Sequence, residues 1–177
     1  GVRFTPFNVD HGRNSTALGF LFGRTAYVSD VKRVPPAGMA LLRAASPLEL
    51  LVIDCTFVLR FINSHINYVE MLEFVARLKP LRVLLTGLTH EFEYELTNAA
   101  LRGDRTAAAH LAISHNSSGN HKFVADERPV IDVARGDGDG WRRVYVPDGI
   151  GGAVPVHVPA YTHIAAAHDA LAVHISL

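Results

Sequence analysis

Five side chains able to bind a metal or move a proton, His11, Asp30, Asp54, His65 and His90, fall near the ends of apolar runs in this sequence. Asp30 is reached through Leu18 to Lys32, where an apolar run, a Gly23-Arg24 turn and the resumed run Ala26-Tyr27-Val28 read as a hairpin. A carboxylate at a strand end, followed by a loop and a helix, is well placed to hold a metal. The same placement suits a residue that caps the next segment or accepts hydrogen bonds from loop amides, and spacing alone does not choose. Asp54 repeats the arrangement after the apolar run Leu48 to Ile53. His11, His65 and His90 each sit just after a strand or just before a helix, and βα connections gather at one edge of a parallel sheet. Imidazole and carboxylate together suit Zn, Mn or Fe. In a dinuclear hydrolytic site a carboxylate would bridge ions that polarise a phosphoryl oxygen and activate water. The other histidines, at 110, 115, 121, 157, 163, 168 and 174, read as surface or packing residues. His163 and His168 lack the i, i+4 spacing that a helical metal pair needs.

The elements that must position these groups follow from apolar periodicity. Val2 to Val9 reads as extended from the outset, as if the chain began in the middle of a fold, and Val9 to Thr16 is a polar connection carrying His11 and Gly12. Ala37 to Ala45 reads as a short helix with proline near its first turn, ended by Ser46-Pro47. Asn67 to Leu78 is amphipathic behind an Asn cap and stops at Lys79-Pro80. Arg82 to Thr86 is a buried strand, and a helix from about Glu91 to Leu101 follows. Strand, helix, strand, helix argues for an α/β layer with parallel crossovers. The pattern weakens from Arg102 to Gly140, where SHNSSGN and RGDGDG mark an insertion at 102–140. Trp141 to Val146 is one more strand, closed by Pro147-Asp148-Gly149. The Ala/His/Val-rich tail is read as an extension at 151–177 with a short helix near Ile164 to Ala172. No internal repeat is found, and the whole is one partial domain over 1–177.

Composition narrows the function classes. The 177 residues are 49% hydrophobic, enough for one domain with a substantial core, and the formal charge is zero with His neutral. That balance gives no global footprint for nucleic acid or an anionic membrane. Cys55 is a lone cysteine inside an apolar run, which fits a buried thiol in a reducing compartment. No secretory h-region opens the chain and no apolar run approaches ~18 residues, so a soluble, cytoplasmic protein is expected.

The order of the motifs carries a resemblance. His11-Gly12, LGFLFG at Leu18 to Gly23, YVSDVKRVP at Tyr27 to Pro35, VIDC at Val52 to Cys55, SHI at Ser64 to Ile66 and LKPLRVLLTGLTHEF at Leu78 to Phe92 together resemble the second half of the metallo-β-lactamase superfamily. The branch containing the cyclic-phosphate phosphodiesterase of bacterial phosphonate breakdown is the most similar. The resemblance covers about Val2 to Leu101, and Val144 to Ile150 resembles the family's closing segment. It implies an α/β fold, the C-terminal half of an αββα metallo-β-lactamase sandwich. It implies His11 as ligand to one metal and Asp30 as the carboxylate bridging two Zn or Mn ions. His65 would be the catalytic histidine over the site, suited to acid/base work or to the substrate phosphate. Asp54 matches a carboxylate that stands behind the ligands.

Two departures qualify what is carried over. Bacterial relatives place a histidine where this chain has Gly87, so His90, in the Thr86-Gly87-Leu88-Thr89-His90 form, is the expected substitute ligand. Glu93-Tyr94 replaces the family's following Asp-His pair. The superfamily's principal metal motif, His-x-His-x-Asp-His, has no counterpart here, and His11, Asp30 and His90 are too few to close two metal sites. The expectation is therefore a metal-dependent, phosphodiesterase-like parent acting on a small-molecule phosphodiester, with this chain alone inactive. A thioester or lactone hydrolase on the same fold is a second reading, decided in part by whether Lys32, Arg33 or Arg60 form a phosphate clamp. A third is a metal-free half-domain serving as a binding or structural module, in which an uncovered sheet would favour a homodimer.

Overall fold

The computed structural model describes residues 1–116, 141–147, 153–159 and 163–166. Its centre is a six-stranded sheet in the order β1-β2-β3-β4-β5-β8. β1 (Thr5–Asp10) and β2 (Thr16–Phe22) pair antiparallel, as do β2 and β3 (Thr25–Val28). The turn between β2 and β3 is Gly23-Arg24, and Gly23 adopts φ +57° as the first position of a Gly-X hairpin turn requires. β4 (Leu50–Asp54), β5 (Arg82–Thr86) and β8 (His163–Ala166) then continue the sheet in parallel from β3.

The helices form where caps and apolar stripes agree. α1 (Pro36–Ala44) opens on a proline, whose missing N–H costs nothing at a helix start. α2 (Tyr68–Leu78) opens on a reciprocal cap: the Asn67 side chain accepts from the Glu70 N–H at 3.0 Å, and the Glu70 carboxylate accepts from the Asn67 N–H at 2.9 Å. It ends where Lys79 turns left-handed ahead of Pro80. Seven of its residues are buried, among them Met71, Leu72 and Val75, so α2 is the main cover of the sheet's inner face.

Three differences from the sequence expectations have physical causes. α3 (Tyr94–Leu101) begins later than Glu91, because the Glu93 side chain accepts from the Glu95 and Leu96 N–H groups and caps the helix there. The weakly patterned stretch after Arg102 contains α4 (Arg105–Asn116), opened by Asp104 accepting from Thr106 and Ala107. Its buried residues are mostly alanines packed on Val58 and Ala100, which leave little amphipathic contrast in the sequence. The rest of the expected insertion, 117–140, lies outside the described residues. In the tail, the expected helix near Ile164 is corrected: residues 163–166 are strand β8, because Ile164 pairs with Val83 and is buried in the main core. Residues 167–172 of that expected helix lie outside the described set. β6 (Trp141–Pro147) pairs with β7 (Ala153–Pro159) as a separate two-stranded sheet whose Val144 reaches the same core. Among the described residues, no helix is long and apolar enough to cross a membrane.

Phe7 shows how tightly β1, β2 and α1 meet. A Cβ on Gly19 would lie 2.5 Å from Phe7 Cζ, and one on Gly38 would lie 3.0 Å from Phe7 Cδ2, so the ring is held between two glycines. Gly19→Ala is therefore expected to destabilise the chain by about 1–3 kcal/mol through overpacking, measured by urea unfolding. A change below about 0.5 kcal/mol would mean that the ring moves aside freely.

Candidate metal centre

The carboxyl ends of β3, β4 and β5 and the loop after β1 meet at one edge of the sheet. A short strap holds them together. The Asp10 N–H donates to the Arg33 carbonyl at 2.8 Å and the Lys32 N–H to the Asp10 carbonyl at 2.7 Å, which fixes the segment after β3 against the end of β1. The Ile66 N–H donates to the Val31 carbonyl at 2.9 Å, which fixes the same segment against the loop before α2. Asp30 lies between these anchors with φ +50°, a left-handed conformation that aspartate tolerates better than most residues. The result is that one ligand atom from each of His11, Asp30 and His65 lies within 4.8 Å of the other two. The two histidine rings stand edge to face, 4.7 Å apart at 81°.

Each imidazole is held from behind. His11 Nδ1 is 2.9 Å from the Ser64 carbonyl, which can only accept, so Nδ1 carries a proton, and in the neutral ring the lone pair is on Nε2. His65 Nδ1 is 2.5 Å from Asp54 Oδ2, which selects the same tautomer. This is the arrangement in which metal-binding histidines are oriented by a carbonyl or carboxylate on the far nitrogen. Asp54 is buried, and it also accepts from the Thr56 hydroxyl at 2.9 Å and the Val31 N–H at 3.3 Å. Beside it, burial and then the Asp54 charge push the Cys55 thiol well above its ordinary pKa, so it stays protonated and is no thiolate ligand.

The sequence-derived residues divide accordingly. His11 and Asp30 converge. Asp54 stands behind the histidines and bonds to one of them. His65, expected as the catalytic histidine, joins the group able to hold a metal. His90 is not in that group and is exposed in the turn after β5. Gly87 has its own reason to be glycine: it adopts φ +69°, and a Cβ there would lie 2.5 Å from Asp54 Oδ1. A side chain at 87 would collide with the carboxylate that orients His65. The orienting role of the Ser64 carbonyl could not be read from sequence, since it depends on the path of a loop.

Lys32, Arg33 and Arg60 each have a carboxylate partner. Lys32 Nζ is 2.5 Å from Glu70 Oε1, 3.4 Å from the His65 carbonyl and 3.7 Å from the Phe61 ring centre. Arg33 pairs with Asp10 at 2.7 Å, and Arg60 with buried Glu91 at 2.6 Å. A cleft of about 810 Å³ opens beside the His11 loop, with Gly12, Asn63, Lys32, Arg33 and Phe61 among its walls.

Two imidazoles with free Nε2 atoms and one carboxylate suit Zn, Mn or Fe, and three protein donors leave a coordination position for water or substrate. No protein-family model matches the chain, and no curated protein matches it. Among solved structures it is similar to the crystal structure of a new diphosphatase from the PhnP family, a protein of the metallo-β-lactamase fold. The TM-score is 0.50 and the sequences are 28% identical, over 55% of this chain and 37% of that one. The mixed sheet and its helices thus match part of a metallo-β-lactamase-fold structure, and the chain spans little more than a third of that protein's length.

Asp54→Asn removes the charge that favours the Nδ1–H tautomer of His65 while nearly keeping the side chain's shape. Affinity for Zn or Mn, measured by titration calorimetry, is expected to fall about 10–100-fold. A loss of less than about threefold would show that Asp54 does not hold the ring for a metal.

Proposed function

We propose that this chain supplies a metal-binding part of a hydrolase of the metallo-β-lactamase fold, and that the complete protein cleaves phosphodiesters. The observation that carries the reading is the convergence of His11, Asp30 and His65, with both imidazoles oriented through Nδ1 so that Nε2 faces away from the hydrogen bond. The partial likeness to a PhnP-family diphosphatase supports phosphate chemistry over other hydrolyses on this fold.

A bound Zn or Mn ion would polarise a phosphoryl oxygen and lower the pKa of a water. The chain's own residues do the holding. His11 and His65 present neutral nitrogen donors and Asp30 an anionic oxygen. Asp54 and the Ser64 carbonyl fix the rings. His65 has one nitrogen left for use, so it serves either as ligand or as acid/base, and its nearness to His11 and Asp30 supports the ligand role. His90 is left out of the ligand set on the same geometric ground. The cleft beside Gly12 receives the substrate, with Arg33 at its wall. That Lys32, Arg33 and Arg60 are all engaged by carboxylates favours, as a second reading, a thioester or lactone as the bond cleaved, since those substrates need no cationic clamp.

Elemental analysis after purification without chelators or a His-tag tests the metal reading. About one Zn, Mn or Fe per chain is expected, because three protein donors complete one open site and not two. Asp30→Ala should reduce that to about a tenth or less. Metal retained in full by Asp30→Ala would exclude the trio as the binding site. For the bond cleaved, turnover of a phosphodiester by the full-length protein, with none of a thioester, is the expected result. The reverse would select the second reading.

A further inference from the structure

The stretch that delivers His65 and the Ser64 carbonyl is held by side chains. Among the described residues, no backbone–backbone hydrogen bond involves residues 59–65. Just beyond it, the Ile66 N–H donates to the Val31 carbonyl and the Tyr68 N–H to the Phe57 carbonyl, both at 2.9 Å. Within it, Arg60 pairs with Glu91, the His65 ring with Asp54, and the His11 ring with the Ser64 carbonyl. Two further contacts meet at one atom. Lys32 Nζ is 3.7 Å from the Phe61 ring centre and 3.4 Å from the His65 carbonyl oxygen, and Glu70 Oε1 lies 2.5 Å from the same nitrogen. Phe61 and His65 are four residues apart, so the chain between them, Ser64 included, forms a bight closed at both ends on a single ammonium.

An ammonium has three N–H donors. Glu70 and the His65 carbonyl accept from it, and the Phe61 ring face lies within the ~6 Å over which a cation is attracted by an aromatic quadrupole. The Lys32 side chain is 17% exposed and Phe61 is 59% exposed, so the ring stands on the solvent side of the ion. Shielding from water strengthens the attraction of Lys32 for both oxygens. It also keeps Lys32, which lines the cleft, turned toward the loop. We propose that Phe61 is a positioning residue for His65. Acting through Lys32, it holds the His65 carbonyl, and with it the His65 ring and the Ser64 carbonyl that orients His11. The consequence for metal binding rests on the reading of His11, Asp30 and His65 as ligands, whereas the consequence for the loop does not.

Two readouts test this: hydrogen exchange of the Ile66 and Tyr68 amides, followed by NMR on the metal-free chain, and Zn affinity by titration calorimetry. Phe61→Ala should speed exchange at both amides about three- to tenfold and lower Zn affinity by a similar factor, the range that a lysine–ring contact supports. Phe61→Tyr keeps the ring and should match the wild type. Phe61→Leu restores apolar cover without a quadrupole and should behave like Phe61→Ala. Phe61 is more than half exposed, so far-UV circular dichroism should be unchanged in all three. Because the ring acts through one ion, Phe61→Ala added to Lys32→Ala should move neither readout by more than about twofold. Wild-type exchange in Phe61→Ala or in Phe61→Leu, or the full effect of Phe61→Ala persisting without Lys32, overturns the proposal. A Zn affinity unmoved by Phe61→Ala while exchange quickens overturns it too, since the ring would then hold the loop without positioning His65. No Zn binding by the wild-type chain, with exchange as expected, overturns the metal reading alone and supports the tie from Phe61 to the loop.

Discussion

A carboxylate buried in an apolar sheet is sustained only when its lone pairs are met, and at Asp54 meeting them fixes the geometry of the edge around it. An uncompensated charge there would cost several kcal/mol. Its hydrogen bonds come from three directions: Thr56 two residues on, Val31 beyond β3, and His65 in the loop before α2. Each bond to a charged acceptor contributes about 1.5–3 kcal/mol, so together they are of the size needed to offset that cost. Gly87, at the end of β5, makes room for the same carboxylate by having no side chain. One residue thus couples the ends of three parallel strands to the orientation of a histidine.

The loop between β4 and α2 is the second constraint, because it delivers both His65 and the carbonyl that orients His11. It is held at both ends. Near α2, Glu70 serves the helix cap with one oxygen and Lys32 with the other, while Lys32 also reaches the His65 carbonyl. Near β4, the Val58 N–H donates to buried Glu91, which also takes Arg60, and the Thr56 carbonyl accepts from the Thr89 hydroxyl. Helix capping, ion pairing and site geometry are therefore not separable here. A change at Glu70 would fray α2 and loosen the site together.

How much of this was legible in the sequence follows from the kind of interaction involved. The β2–β3 hairpin and strands β4 and β5 were legible because alternation and short apolar runs are local signals, and Asp30 and Asp54 were placed correctly because strand ends are fixed by those runs. α2 was legible from Asn67 and its apolar stripe. β8 was not, because an Ala-rich run reads locally as helix and only its pairing with β5 makes it a strand. His90 follows β5 closely enough to suggest a ligand. Yet Thr89 is tied to Thr56 on one side and Glu91 is buried on the other, which leaves the residue between them outside. His65 was singled out, but its bond to Asp54 crosses a loop whose path no periodicity encodes.

The ion pairs of Lys32, Arg33 and Arg60 differ in what it would take to redirect them, and this bears on which of these cations a substrate could recruit. Lys32 is largely shielded, and its partner Glu70 also caps α2, so drawing Lys32 toward a phosphate would strip the loop of its anchor. Arg60 lies against Phe57 and compensates a Glu91 that is only 2% exposed, so moving it would leave a buried carboxylate without its guanidinium. Arg33 is different. Its side chain is 78% exposed, and an exposed pair such as that with Asp10 is worth about 1 kcal/mol or less. A phosphate in the cleft could take Arg33 from Asp10 at little cost, and bidentate geometry would favour the exchange. Of the three cations read from the sequence as a clamp, two are therefore part of the frame that holds the site, and Arg33 is the one held only by a weak, exposed pair.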